Sequence, residues 1–511
     1  MKSRTDQSNR KRTRHFLTDA AIYGMGGVLM QFVSVLLLPL YTRYLEPADY
    51  GVLEIIERVG HIINICLMTG GVRQACFAFY LQGDEQQRRS IAATISTFLL
   101  AIFAAASLVA VVSAPYLSPL LGVDDQTLFI FGTLVVLSQI FTIVPFSLMQ
   151  ARVESIAFIT WQMAMLVARV TLAVFLLADL GWGVWGVYWS LLIVFIGFGG
   201  GLMIRELRKG SLRIDWKQCR EVTRFSLPFL PTGLIFIFFH NSDRFFLVGT
   251  AGTAALGIYA LGYKLASAVG MVSSTPLFKV WSARMYATFE QPDAPAVAGR
   301  MLSRMLTAYA AVGLGLCLFH RELLAAMSSA AYGGAGAVIA PIVLANAFLF
   351  ANNYFEGVYY VFRKTKYKPL TAFVGTVTIL CLYATLIPRY SILGAAYGTL
   401  LGYMALAATT FVVAQRVFYV HYEIGHLSLL GAVSIGCYLP SIHLELGLLP
   451  FLARAALFLL WCVLVWGLGI VQQADKGRIL SLLKRISVLK SVVSRYVMLS
   501  FCSAGIQFFR K

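Results

Sequence analysis

Tyr50-Gly51-Val52-Leu53-Glu54-Ile55-Ile56-Glu57-Arg58-Val59-Gly60-His61-Ile62-Ile63-Asn64 is an apolar run punctuated by polar side chains at a regular spacing. Glu54, Glu57, Arg58, His61 and Asn64 recur at i, i+3, i+4 and i+7 steps. On a helix that spacing gathers them on one face and leaves the remainder apolar. The surrounding chain has 511 residues, of which 59% are hydrophobic and only 13% charged, with a mean hydropathy of +0.75. So few charges cannot cover a solvated globule of that length, so the solvent is largely lipid. An ionisable side chain inside a span costs about 2.5–3.5 kcal/mol on insertion scales. The striped face must therefore look into a helix bundle, a water-filled cavity or a partner, and not at lipid.

A bilayer core about 30 Å thick takes roughly 20 apolar residues per helix. Hydropathy places spans near 16–40, 51–71, 90–113, 127–148, 156–179, 183–204, 227–250, 256–280, 301–320, 336–361, 368–388, 391–414, 427–446 and 450–471. The expected fold is thus all-α, a polytopic membrane protein with about fourteen transmembrane helices. The first run is too long for a signal-peptide core and has no small-residue cleavage site, so it reads as an uncleaved span. Connections alternate in charge. The basic set holds the arm over residues 1–15, Arg88 with Arg89, Arg152, the stretch from Arg205 to Arg224, Arg284 with Arg300, and Arg363 to Lys368. The other set carries almost no Lys or Arg, which puts both termini in the cytoplasm. After Val471 the tail is basic, and Ile479, Leu482, Leu483, Ile486, Val493 and Val497 repeat at helical spacing apart from Lys484, Arg485, Lys490 and Arg495. That pattern reads as an amphipathic helix on the anionic leaflet, or as a solvated tail.

The opening motif returns. Leu256-Gly257-Ile258-Tyr259 starts the eighth span about 206 residues after Tyr50-Gly51-Val52-Leu53 starts the second. Six spans separate the copies, so they share an orientation, as parallel repeats do. The expected organisation is a six-helix bundle over 16–204, a basic linker over 205–226, a second six-helix bundle over 227–414, two additional helices over 427–471 and the tail over 472–511. Under this register Arg58 corresponds to Lys264. Arg169 and the pair Asp243 and Arg244 add charge in the same half of the bilayer, and Asn352, Asn353 and Glu356 sit nearer the other face.

Two readings of these residues stand side by side. In one they line a hydrated cavity, with Arg58, Lys264, Arg244, Arg169, His61 and Asn64 binding an anionic substrate and Glu54, Glu57 and Asp243 pairing with them or carrying protons or ions. In the other, Glu54 with Arg58 and Asp243 with Arg244 are structural ion networks. No P-loop, HExxH, GxSxG or paired-aspartate motif appears, and the longest outer connection has only about fifteen residues, so no enzyme is expected. The eight cysteines lack metal-ligand spacing, and no metal or cofactor site is expected. The net charge of +19 lies on alternate connections and reports topology, not a nucleic-acid surface.

The stretch Leu38-Pro39-Leu40-Tyr41-Thr42-Arg43-Tyr44-Leu45-Glu46-Pro47-Ala48-Asp49-Tyr50-Gly51 resembles the first outer turn of bacterial polysaccharide flippases, the O-antigen and exopolysaccharide translocases of the multidrug/oligosaccharidyl-lipid/polysaccharide exporter superfamily. Asp243-Arg244-Phe245-Phe246-Leu247, followed by Gly257-Ile258-Tyr259, is similar to the matching turn of the second bundle. The resemblance covers roughly residues 15–415. It implies a V-shaped pair of bundles around a cationic cavity in the bacterial inner membrane. Its partners would be an undecaprenyl-diphosphate-linked oligosaccharide, membrane lipids and other polysaccharide assembly proteins. A cation-coupled multidrug exporter, a lipid II flippase and an assembly subunit that docks through the basic tail stay open as alternatives.

Overall fold

Helix starts and breaks follow local chemistry. The computed structural model describes residues 37–82, 84–208, 215–471 and 476–477, and among them the chain is helical with no strand. The α-helices are α1 (Leu38–Tyr44), α2 (Pro47–Cys66), α3 (Thr69–Gln82), α4 (Glu85–Leu120), α5 (Gln126–Leu137), α6 (Ile140–Ala151), α7 (Ser155–Val174), α8 (Gly183–Val194) and α9 (Gly201–Arg208). They continue as α10 (Trp216–Ser226), α11 (Phe229–Val269), α12 (Thr275–Phe289), α13 (Ala294–Met327), α14 (Gly336–Val361), α15 (Tyr367–Val417), α16 (Ile424–Tyr438) and α17 (Leu448–Gly467). Pro47 opens α2 where a missing N–H costs nothing. Asp84 caps α4 in a reciprocal box with Gln87, and Asp125 and Asp215 accept the first free N–H groups of α5 and α10.

Eleven stretches are long and apolar enough to cross a membrane when the bent α2–α3 pair counts as one. Two of them, 229–289 and 367–417, are divided by residues with non-helical backbone, Gly252 (φ 81°) and Ser391 (φ 48°). Thirteen passes among the described residues thus correspond to spans two to fourteen, and the chain is an all-α, multi-pass membrane protein. Apart from residues 37–40, the first span and the basic arm lie outside the described residues, as do 209–214 of the linker and the tail helix over 479–497.

Several edges differ from the hydropathy reading. The second span does not stop near residue 71. It bends by 45° after Cys66, with Met68 at φ 57°, and runs on through α3. Helices α4 and α13 extend well beyond 90–113 and 301–320, because the polar residues and prolines toward their ends remain helical despite lowering the local hydropathy.

The described parts of 1–286 with 319–419 form one compact unit, and those of 287–318 with 420–511 form another. The first unit contains every candidate residue, and the repeat is visible inside it. A β-carbon on Gly51 would strike the carbonyl of Thr253, and one on Gly257 would strike the carbonyl of Pro47. With the 206-residue register, Pro47 corresponds to Thr253 and Gly51 to Gly257, so one contact is made twice with roles exchanged. The turns after α6 and α14 match too. Val153 (φ 57°) and Arg363 (φ 55°) occupy the left-handed region, and the following amides return to Met149 O at 2.9 Å and Tyr359 O at 2.8 Å, the same two-bond helix cap.

The turn that opens α2 is a bracket. The Thr42 hydroxyl donates to Met327 O at 2.8 Å, Arg43 donates to Ala326 O at 2.7 Å, and the Tyr332 hydroxyl donates to Leu45 O at 3.1 Å. These bonds tie the first-turn motif to the end of α13 and the turn after it.

Gly252, at φ 81° and ψ 177°, holds a backbone conformation nearly exclusive to glycine, while a β-carbon there meets nothing within 4 Å. Gly252→Ala is expected to lower the unfolding free energy by about 1–3 kcal/mol through backbone strain alone, read by chemical denaturation in detergent. Gly249→Ala, in regular helix with equally open space, is expected to be neutral or to gain up to about 1 kcal/mol.

Candidate binding cavity

The stripe on α2 meets its repeat partner at the α2–α11 crossing. Glu54 is 1% exposed and accepts a hydrogen bond from Arg58 Nη2 at 3.1 Å, one turn along. Its other oxygen is paired with Lys264 Nζ, which also donates to the Tyr50 hydroxyl at 2.9 Å. The two cations related by the repeat therefore converge on a single carboxylate. The residue corresponding to Glu54 in the second copy is Ala260, so only one half supplies an acid. Glu57 stands 4.0 Å from Arg58 and is far more open, at 42% side-chain exposure.

Asp243 and Arg244 form a separate pair. Arg244 Nη1 donates to both carboxylate oxygens at 2.8 Å and to His240 O at 3.2 Å. The Tyr259 hydroxyl donates to Asp243 at 2.6 Å, and the guanidinium lies 4.3 Å from the centre of the Tyr263 ring. His240 Nδ1 is 2.9 Å from the Tyr403 hydroxyl. Polar groups with this little contact with water are stable only when mutually satisfied.

Two open spaces adjoin this framework. The first, about 370 Å³, is lined by Arg58, His61 and Asn64 of α2, Thr69 and Arg73 of α3, Gln139, Thr142, and Phe236, Ile237 and Asn241 of α11, with further apolar walls. The second, about 230 Å³, shares Arg73, Thr142 and Ile143 with it and adds Ser147, Gln150, Gln162 and Arg169. Neither lining includes a carboxylate. Arg73 makes no ion pair among the described residues, and Arg169 reaches only the Tyr41 hydroxyl, at 3.5 Å. An arginine in such a setting is a ready donor to an anion.

The structure thus brings Arg58, His61 and Asn64 to one cavity and Arg169 to its neighbour. Glu54, Lys264, Asp243 and Arg244 are held in ion pairs and line neither space, and Glu57 is beside Arg58 without lining one. Arg73, which joins the two cavities, escaped the sequence reading because Gly70-Gly71 looked like the end of a span. It continues the stripe Arg58, His61, Ile65, Thr69 at steps of three and four, across the bend. The amides Gln139, Gln150, Gln162 and Asn241 were also missed, since the reading followed ionisable residues inside spans and an amide carries no charge. Among the described residues no three His, Cys, Asp or Glu side chains converge as a metal site requires.

Residues 40–324, from α1 almost to the end of α13 and including both ion pairs and both cavities, match the family described as polysaccharide biosynthesis protein. The chain belongs to that family. No curated protein gives a significant sequence match. Among solved structures, the lipid II flippase MurJ in an inward closed conformation superposes with a TM-score of 0.70 at 10% identity, over 87% of this chain and 99% of that one. An inward-facing multidrug resistance MATE family transporter of the MOP superfamily gives 0.57 at 13% identity, over 75% and 98%. The MATE multidrug transporter DinF-BH gives 0.51 at 15%, over 80% and 97%. At these identities the likeness is one of fold, and this polysaccharide biosynthesis family member shares the fold of MurJ and of these MATE structures.

Proposed function

We propose that this protein moves a polyprenyl-diphosphate-linked oligosaccharide from the cytoplasmic to the outer leaflet of the bacterial inner membrane by alternating access. The bundles over 16–204 and 227–414 would move against each other, with both termini inside. The observation that carries the reading is the joined pair of cavities with Arg73 and Arg169 on their walls and no carboxylate opposite. Arg58, Arg73 and Arg169 suit a diphosphate, and the amides of Asn64, Gln139, Gln150 and Gln162 suit sugar hydroxyls. The family description and the MurJ fold support the choice of a glycan lipid over a small cationic drug.

The energetics call for such a route. Each sugar hydroxyl dragged unpaired through hydrocarbon costs several kcal/mol. With the inside negative, each anionic charge moved outward gains about 2.3 kcal/mol per 100 mV, so membrane potential favours export. On this reading Glu54 and Asp243 balance Lys264, Arg58 and Arg244, and the more open Glu57 is the carboxylate placed to exchange a proton or ion.

Arg73→Ala and Arg58→Ala are expected to cut outward appearance of the lipid-linked glycan by about tenfold or more, the worth of one charge-assisted hydrogen bond of about 1.5–3 kcal/mol. The measurement is complementation of a flippase-deficient strain at matched expression. Full activity in both variants would discard the cationic site. Failure of the wild-type chain to complement, with increased drug resistance, would favour a multidrug exporter.

A further inference from the structure

The polar cavity shares two of its walls with a space of opposite character. A groove of about 330 Å³ is lined by Trp161 of α7, Ile193 of α8, Gly197 and Phe198 of the turn after it, and Gly201, Leu202 and Arg205 of α9. The cavity that holds Arg73 and Arg169 uses Gln162 of the same α7 and Val194 and Phe195 from the end of α8. Successive helical residues point about 100° apart. Trp161 beside Gln162, and Ile193 beside Val194, therefore put groove and cavity on different faces of one helix pair. On the groove side Trp161 meets Phe198 edge to face, with ring centroids 6.3 Å apart, and Phe198 shares the turn 195–200 with Phe195 of the cavity wall.

The backbone is unusual at this seam. From Phe195 to Gly200 the chain runs as a π-helical turn, a form concentrated at functional positions because it leaves backbone and side chains off the regular lattice. Gly197 and Gly201 leave the groove floor bare, and a β-carbon at either would meet no atom within 4 Å. Apart from Arg205 the lining is apolar, whereas the adjoining cavity offers two arginines and two glutamines. A ligand with an anionic head and a long hydrocarbon tail satisfies both spaces at once, and neither a soluble anion nor a plain hydrocarbon does.

We propose that the groove between α7 and α8 seats the isoprenoid tail of the polyprenyl-diphosphate carrier while its diphosphate lies against Arg73 and Arg169, the chain threading the seam at Trp161 and Phe198. The inference rests on the function proposed above and adds where the lipid part is held. The competing occupant is a bulk anionic phospholipid with its headgroup on Arg205.

The test uses the full-length protein in phosphatidylcholine nanodiscs with a polyprenyl diphosphate carrying a benzophenone midway along its tail. After irradiation, adducts are mapped by peptide mass spectrometry. Labelling of Trp161 and of 193–202, suppressed by excess unlabelled polyprenyl diphosphate, is expected. Gly197→Leu and Gly201→Leu fill open space, keep the wild-type melting temperature and are expected to reduce that labelling by about tenfold. Adducts confined to other helices, or suppression by phosphatidylglycerol as strong as by polyprenyl diphosphate, would overturn the proposal. A protein that labels as expected yet fails to complement keeps the tail site and loses the function. One that complements but labels elsewhere loses the tail site alone.

Discussion

Arg244→Leu is expected to lower the unfolding free energy by about 3–5 kcal/mol, the usual cost of stranding one member of a buried ion pair. Asp243 is 1% exposed and Arg244 4%, so water cannot replace the lost guanidinium. The Tyr259 hydroxyl and the backbone N–H of residue 244 can still donate to the carboxylate, but two neutral donors do not offset a full charge in a dry site. Asp243→Asn alone should be similarly harmful, because Arg244 then keeps its charge without a counter-ion. The double variant, Asp243→Asn with Arg244→Leu, is expected to recover a large part of the loss, since removing both charges together spares the desolvation penalty. Reversible denaturation in mixed micelles measures all three. Additive losses would show that the two side chains act independently and that the pair is not the unit we describe.

The second large effect concerns the helix crossing. Leucine at Gly51 or Gly257 places its first carbon against a backbone carbonyl, of Thr253 or Pro47 respectively. No side-chain rotation relieves a clash with backbone, so α2 and the second part of α11 must separate. Overpacking of this kind typically costs about 1–3 kcal/mol and occasionally more, and we expect the upper end here because the Glu54–Lys264 pair lies on the same crossing, with Glu54 within one turn of Gly51 and Lys264 about two turns from Gly257. Transport by either variant should fall below detection in the complementation assay while surface expression persists at reduced level. The double variant should cost less than the sum, because helices already displaced by one leucine have room for the other. Wild-type activity in Gly257→Leu would refute the close crossing.

Much of the architecture was legible because lipid enforces it. Apolar runs had to be helices, and the glycine in each copy of the repeated motif marks the crossing of the two copies. The partners of the charges were legible only where they lie close in sequence, as for Glu54 with Arg58. Glu54 reaches Lys264 across 210 residues of sequence, and no spacing rule could have chosen Lys264 over Arg58 or anticipated that both would be served. Asp243 with Arg244 stood as an ion pair in one of the two readings; what the spacing does not give is the geometry, in which adjacent helical residues point apart and meet because the long guanidinium curls back. Arg73 was lost to a bend that hydropathy reads as an ending. The members of the stripe on α2 split: Arg58, His61 and Asn64 line open space and Glu54 sits in an ion pair.

The exchanged contacts of Gly51 with Thr253 and Gly257 with Pro47 are those that two identical subunits would make about a twofold axis. Here both partners are written into one chain, which removes the obligation of equivalence. A homodimer that placed an acid at the Glu54 position would necessarily place two, facing each other near the axis and repelling. The fused arrangement sets one acid against an alanine, lets two cations share it, and can give the remaining surfaces of each half a different polarity. The two halves of a nearly symmetric frame then need not offer a ligand the same surface.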